Sequence, residues 1–439
     1  MVGAEPTCSP ALGSEKYIAT VRTVFDRHES GFLGRFRGAA YPGHVAMIRA
    51  TARAALVVAA LGMFVKPTAA EPPLQVDLAR MRMGPDGASA PDTTGTRRAL
   101  TLDPELQAKS LKLLARANPV AGAIVAVDAR SGRVLVWADR SHDGAPRGRA
   151  LVTAAPAASL FKVVTTTALL ERGGVHPQMK VCIMGGEHEI DRSHLDPPRG
   201  GKALCSSFGQ ALGHSRNAVY AQLATSYLMR NDLIETAAQL GFNHRIPFDT
   251  EVAFGSLEVP YNDLAFARTA AGFENSSLTP VGALCLAYAV ATGGRAVRLR
   301  IVESDDATQP ARPEYLGRVM EPSTAANLRW MMEVTVHSGT SMDAFSTDKG
   351  RAYLGGIRVA GKTGTLRPHA SDPTTSWFIG FAPSRDPRIV VSVLLQNGKV
   401  WRRKANEVAR DLLRVYFARG GARGVTDPFD VEREQQQER

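Results

Sequence analysis

Two spacings of apolar residues, every second position and every third or fourth, divide this chain into readable elements. Residues 101–119 read TLDPELQAKSLKLLARANP, in which Asp103 is a cap, Pro104 suits the first helical position and Leu106, Leu111, Leu113 and Leu114 supply an apolar face. The spacing predicts a helix. Two apolar runs follow in AGAIVAVDARSGRVLVWADR, joined around Asp128 to Gly132 in the manner of a hairpin. From about residue 156 to 345 the pattern is mostly helical, interrupted by Gly- and Pro-rich loops. Later, GGIRVAGKTGT, SWFIGFAP and RIVVSVLLQ are strand-like runs with tight connections, and RRKANEVARDLLRVYFARGG closes as an amphipathic helix. Strands at both ends with helices between predict that the ends share one sheet, with the middle as a helical lobe against it.

The remaining stretches set boundaries. Arg49 and Arg53 precede the apolar run Ala54 to Val65, and small residues around Ala69 and Ala70 follow, the layout of a secretory signal too short to span a membrane comfortably. The expected organisation is a leader at 1–46 upstream of a start at Met47, a signal peptide or signal anchor at 47–70, and a linker at 71–95. The main domain follows at 96–420, with a disordered polar tail at 421–439. No cysteine stands at a lipoprotein-like position after the apolar run, which argues against a lipid anchor. Export to the periplasm or cell envelope is the expectation, with the segment either cleaved or kept as an inner-membrane anchor.

Composition changes this picture little. The 439 residues include 44% hydrophobic residues, enough for a full core, and 53 Lys and Arg against 42 Asp and Glu give a net charge of +11. No basic run, zinc-finger spacing or aromatic-basic signature accompanies that charge, so no nucleic-acid partner is expected. An anionic envelope suits it equally. Of the four cysteines, Cys8 lies in the leader and Cys285 in the apolar stretch ALCLAYAVA, while Cys182 and Cys205 flank a polar Gly/Pro-rich loop. In an oxidising compartment those two are placed to close a disulfide, and paired or free thiols both stay open. His188 and His194 in the loop lack ligand spacing, so neither metal nor cofactor is expected.

The candidate chemistry starts in AASLFKVVTTTALLERGG, residues 157–174, where Ser159 and Lys162 stand three apart on an apolar helix and so face each other. A serine hydroxyl needs a base, and an ordinary lysine, with pKa about 10.4, is already protonated. Burial beside Phe161, Val163 and Val164 and a second nearby cation would push it toward the neutral form, making the pair a candidate activated nucleophile. The spacing alone decides nothing, because one or two chance matches of this kind are expected in such a chain, and Ser346 with Lys349 is another, in a polar loop. Its company does decide. GHSRNAVYAQLA supplies Ser215 and Asn217, and VAGKTGT supplies Lys362, Thr363, Gly364 and Thr365.

With SxxK, SxN and KTG in that order, the sequence resembles the transpeptidase domain of penicillin-binding proteins, serine acyltransferases that share this motif set with the serine β-lactamases. The resemblance covers roughly residues 96–420 and extends to TLDPELQ, to Leu278–Gly294, to Gly339 and Thr340, and to WFIGFAP. Ala158 and Leu160 stand where the family usually has glycine and threonine. The implied fold is α/β (α+β), an antiparallel sheet flanked by helices plus a mostly helical lobe.

The implied function is a penicillin-binding D,D-transpeptidase acting on D-alanyl-D-alanine stem peptides of peptidoglycan, with β-lactam antibiotics as covalent inhibitors. Ser159 attacks, Lys162 takes its proton, Ser215 relays a proton to the leaving amine and Asn217 holds the substrate amide. Lys362, Thr363 and Thr365 bind the terminal carboxylate, Gly364 leaves room for the substrate backbone, and the N–H groups of Ser159 and Thr365 form the oxyanion hole. A separate glycosyltransferase or cell-wall complex is the expected supplier of glycan strands. A non-catalytic penicillin-binding sensor or scaffold is the alternative, with a D,D-carboxypeptidase or class D-like β-lactamase behind it. The apolar third residue of a class D SxV motif is here Asn217. Trp377 and Phe378 read as sheet residues, and His214, His337 and His369 as residues outside the chemistry.

Overall fold

The computed structural model describes residues 75–142, 144–145, 148–304 and 312–431. Its first strands fall in the stretch whose composition reads as a linker. Strands β1 (Arg82–Gly84), β2 (Gly87–Pro91) and β3 (Arg97–Ala99) form an antiparallel sheet in that order. The linker expected over 71–95 is therefore corrected for its described part: Ala88 and Ala90 are buried, the Val76 N–H donates to the Asp249 carbonyl, and the Asp92 carboxylate pairs with Arg98. Pro85, Asp86, Thr93, Thr94 and Gly95, among the residues that suggested a linker, make the turns between these short strands.

Helix α1 (Pro104–Ala117) begins as its sequence requires, with the Leu106 N–H donating 3.0 Å to the Asp103 carboxylate. The hairpin follows as β4 (Ala121–Asp128) and β5 (Val134–Ser141). The middle of the chain holds helix α2 (Phe161–Glu171), the two-stranded ribbon β6 (Lys180–Ile183) with β7 (Leu204–Ser207), and helices α3 (Asn217–Tyr227), α4 (Asp263–Ala271), α5 (Pro280–Ala291) and α6 (Pro322–His337). Strands β8 (Ala360–Leu366), β9 (Thr374–Ala382) and β10 (Ile389–Asn397) and helix α7 (Ala405–Arg419) follow these and shorter elements.

Strands from both ends share one five-stranded antiparallel sheet in the order β8-β9-β10-β4-β5. Its central strands are apolar on both faces because both are covered. Ile124, Ala126, Val391 and Val393 pack into one core with α1 and α7, while Val125, Val127, Val390 and Leu394 face the other with α5. Helix α2 lies inside that second core, buried from Phe161 through Leu169, as a helix without a polar face must be. The run GGIRVAGKTGT becomes strand only from Ala360.

The disordered tail expected at 421–439 also needs correction where it is described. Val425 and Phe429 are buried, Lys109 pairs with Asp427, and the Arg116 guanidinium lies 4.1 Å from the Phe429 ring centre. Residues 421–431 thus close over α1, and apolar spacing gave no sign of it because Val425 and Phe429, with Asp427 and Pro428 buried between them, make no period. The leader at 1–46 and the signal at 47–70 lie outside the described residues, as does 432–439. No helix among the described residues is long and apolar enough to cross a membrane.

Candidate active site

Ser159 sits in the short 3₁₀ turn Ala158–Leu160 that runs into α2. The turn is entered through Ala158 at φ 50°, a left-handed conformation in which a Cβ costs roughly 1–2 kcal/mol. That is a physical reason for the glycine usual at this position. Sequence reasoning missed Gly272, at φ 87° after α4, where a Cβ would fall 2.1 Å from the Ala158 carbonyl oxygen. Gly272→Ala must therefore push the nucleophile's turn. Because displacements of about 1 Å cost on the order of a hundredfold in rate, acylation by benzylpenicillin followed by intact mass should slow by about that factor; a wild-type rate would mean the turn does not hold the nucleophile in place.

Lys162 is fully buried, and its Nζ lies 2.7 Å from Ser159 Oγ, 2.7 Å from Asn217 Oδ1 and 2.6 Å from the Ala271 carbonyl oxygen. Two of these partners can only accept, so they take two N–H bonds. The remaining direction, toward Ser159, holds a third N–H in the ammonium form or a lone pair in the amine. Burial first, and then the charge of Lys362, hold the Lys162 pKa well below the ordinary lysine value. In the amine form Nζ accepts from the Ser159 O–H, and the downward shift favours that form.

Ser215 stands at φ 55° just ahead of α3, whose first residue is Asn217. The β8 side chain Lys362 donates to Ser215 Oγ at 3.1 Å and to its neighbour's carbonyl, Thr363 O, at 2.8 Å, and burial pushes its pKa down to about 7. All three motifs therefore meet, but two details depart from the resemblance. Asn217 spends its amide inside the protein, accepting from Lys162 and donating from Nδ2 to the Glu187 carbonyl at 2.6 Å, so a substrate amide must compete for it. Lys362 is buried beneath the strand, leaving the Thr363 and Thr365 hydroxyls as the groups that face the cleft; Thr363 Oγ1 lies 2.5 Å from Thr340 Oγ1.

The cleft has two lobes that share Ser159, Glu187, His188, Asn217 and Thr365 on their walls. Glu187 and His188 belong to the loop between β6 and β7. Cys182 and Cys205, directly paired across that ribbon, are joined by a disulfide. Sequence reasoning reached the disulfide as one of two options but missed the loop's place over the nucleophile, because nothing in its polar composition distinguishes a cleft wall from a surface loop. Gly364 faces Ala158 and Trp377, with a Cβ there 3.3 Å from each. Trp377 donates from its indole to the Pro156 carbonyl at 2.9 Å, and Phe378 packs on the opposite core. His194 turns back on Asp191, its Nδ1 3.2 Å from the Asp191 N–H. Lys349 makes no bond to Ser346, which instead bridges to Ala352 at the backbone.

The comparisons with known proteins agree with this geometry. A curated relative of similar sequence is the peptidoglycan D,D-transpeptidase PbpA of Mycolicibacterium smegmatis, 26% identical over 350 residues that make up 70% of this chain and 68% of the relative. Stage V sporulation protein D of Bacillus subtilis is 27% identical over 256 residues, 55% of this chain and 38% of its own. The crystal structure of PBPA from Mycobacterium tuberculosis superposes with a TM-score of 0.60 at 22% identity, covering 73% of this chain and 82% of that one. The family model for the penicillin binding protein transpeptidase domain matches residues 122–414, and the chain belongs to that family.

Proposed function

We propose that the chain is a penicillin-binding D,D-transpeptidase of the cell envelope that works through an acyl-enzyme on Ser159. The observation that carries this reading is the buried Lys162 Nζ, 2.7 Å from Ser159 Oγ and bonded also to Asn217 Oδ1 and the Ala271 carbonyl. Ser159 Oγ attacks the carbonyl carbon between the two D-alanines while its proton passes to Lys162 Nζ. The oxyanion is held by the N–H groups of Ser159 and Thr365, about 3 kcal/mol each in enzymes of this kind. Collapse breaks the C–N bond, and the leaving amine takes a proton through Ser215, which Lys362 orients and which thereby returns to its starting state by way of Lys162. An acceptor amine then attacks the ester and frees the serine. The Thr363 and Thr365 hydroxyls receive the terminal carboxylate, with Lys362 supplying positive potential from below.

Relatives named as D,D-transpeptidases favour this over a carboxypeptidase or a sensor. The disulfide suits an exported chain, in keeping with a signal at 47–70, and glycan strands would come from a separate glycosyltransferase. The test is a D-alanyl-D-alanine pentapeptide incubated with and without an amine acceptor. D-alanine release with an acceptor-linked product is expected; release with water alone as acceptor would make it a carboxypeptidase, and a penicillin adduct without any release would make it a sensor.

A further inference from the structure

We infer that the cleft lobe on the acyl side of Ser159 is a subsite for a donor side chain carrying both an ammonium and a carboxylate. The inference rests on the transpeptidase reading, which fixes the direction of the peptide. The lobe lined by Ser215, Thr340, Thr363 and Lys404 carries several hydroxyls and one cation, and on the transpeptidase reading it takes the terminal carboxylate. A donor that places its scissile carbonyl on Ser159 then extends the residue before the D-alanyl pair into the other lobe, a space of about 660 Å³.

That second lobe is charged in both senses. Glu187, Glu189, Glu274, Arg268 and Arg367 all line it. Arg268 is held by its own wall, donating from Nε to the Ile190 carbonyl at 2.8 Å and lying 3.7 Å from Glu189. Arg367 donates from Nε to Thr374 Oγ1 at 2.7 Å, which fixes the plane of the guanidinium without neutralising it. Neither Arg367 nor Glu274 has an ion-pair partner among the described residues, although both stand on the same cleft wall as the nucleophile. Charges of both signs on one cleft wall offer a separate partner to each end of a doubly charged side chain. A side chain with an ammonium alone leaves Arg367 unmatched, a carboxylate alone leaves Glu274 unmatched, and one bearing both satisfies the pair. Discrimination here comes as much from the charge left unmatched as from the contact made.

The test uses three pentapeptides ending in D-alanyl-D-alanine that differ only at the third residue: meso-diaminopimelate, lysine or norleucine. The wild-type chain should favour the first over lysine by about tenfold in kcat/KM for D-alanine release. Arg367→Gln should bring that ratio close to one, and Arg367→Lys should restore part of it. Glu274→Gln should narrow the gap between lysine and norleucine. Dissociation constants of the same peptides for the Ser159→Ala chain give a second readout that needs no turnover, with the same order expected. Equal values for all three peptides in both measurements, or a preference that survives Arg367→Gln, would overturn the subsite. Failure of the transpeptidase reading shows separately, as absence of D-alanine release from all three peptides, or release without any acceptor-linked product, while the dissociation constants on Ser159→Ala still report the subsite.

Discussion

Replacing Ser159 with alanine is expected to lower acylation by benzylpenicillin by about four orders of magnitude or more, the scale seen when a catalytic nucleophile is removed. No adduct should appear by intact mass over hours, while the wild type carries one. The effect is this large because nothing nearby can substitute: Lys162 Nζ has its remaining hydrogens engaged with Asn217 and the Ala271 carbonyl, and Ser215 Oγ is occupied as an acceptor from Lys362 Nζ. Folding should survive, because Ser159 is only partly buried and alanine fits its backbone. An adduct that persists on Ser159→Ala and maps to Ser346 would place the nucleophile in the wrong motif. The structure argues against that outcome, since Lys349 is exposed and makes no bond to Ser346.

How much of this could be read from the sequence depends on the range of the interaction. Ser159 with Lys162, the hairpin around Asp128 and the capped helix after Asp103 are set by spacings of a few residues, and each stands where the pattern puts it. The meeting of both chain ends in one sheet was legible too, because strands with apolar residues on consecutive positions must be covered on two faces. Other features depend on partners far away in the chain. Gly272 matters only because Ala158 lies against it, more than a hundred residues earlier, and Asn217 is drawn inward by a carbonyl of the loop at Glu187. Residues 75–95 and 421–431 were misread for a related reason: turn-forming and polar neighbours dominate the composition around their buried residues.

Lys362→Met is expected to make the protein more stable and much less active at once. Burial holds Lys362 near 7 where an unfolded lysine titrates at 10.5, so at pH 7 the folded state carries a penalty of about 4 kcal/mol. Methionine removes that penalty but also loses the bonds to Ser215 and Thr363, about 1 kcal/mol each, which leaves a net gain of about 2 kcal/mol. The sign with pH follows from proton counts. Between 7 and 10.5 the unfolded chain binds a proton that the folded chain does not, so wild-type stability rises with pH through that window. The advantage of Lys362→Met should therefore be greatest at or below pH 7 and shrink as pH climbs toward 10.5, read from denaturant midpoints at several pH values. Over the same series kcat/KM for D-alanine release should be lower by about 10²–10³, the loss expected when a preorganised positive group leaves a water-excluded site. A variant less stable than wild type at pH 7 would mean that Lys362 is held by more than its burial, and that the positive potential under Thr363 stabilises the fold as well as the reaction.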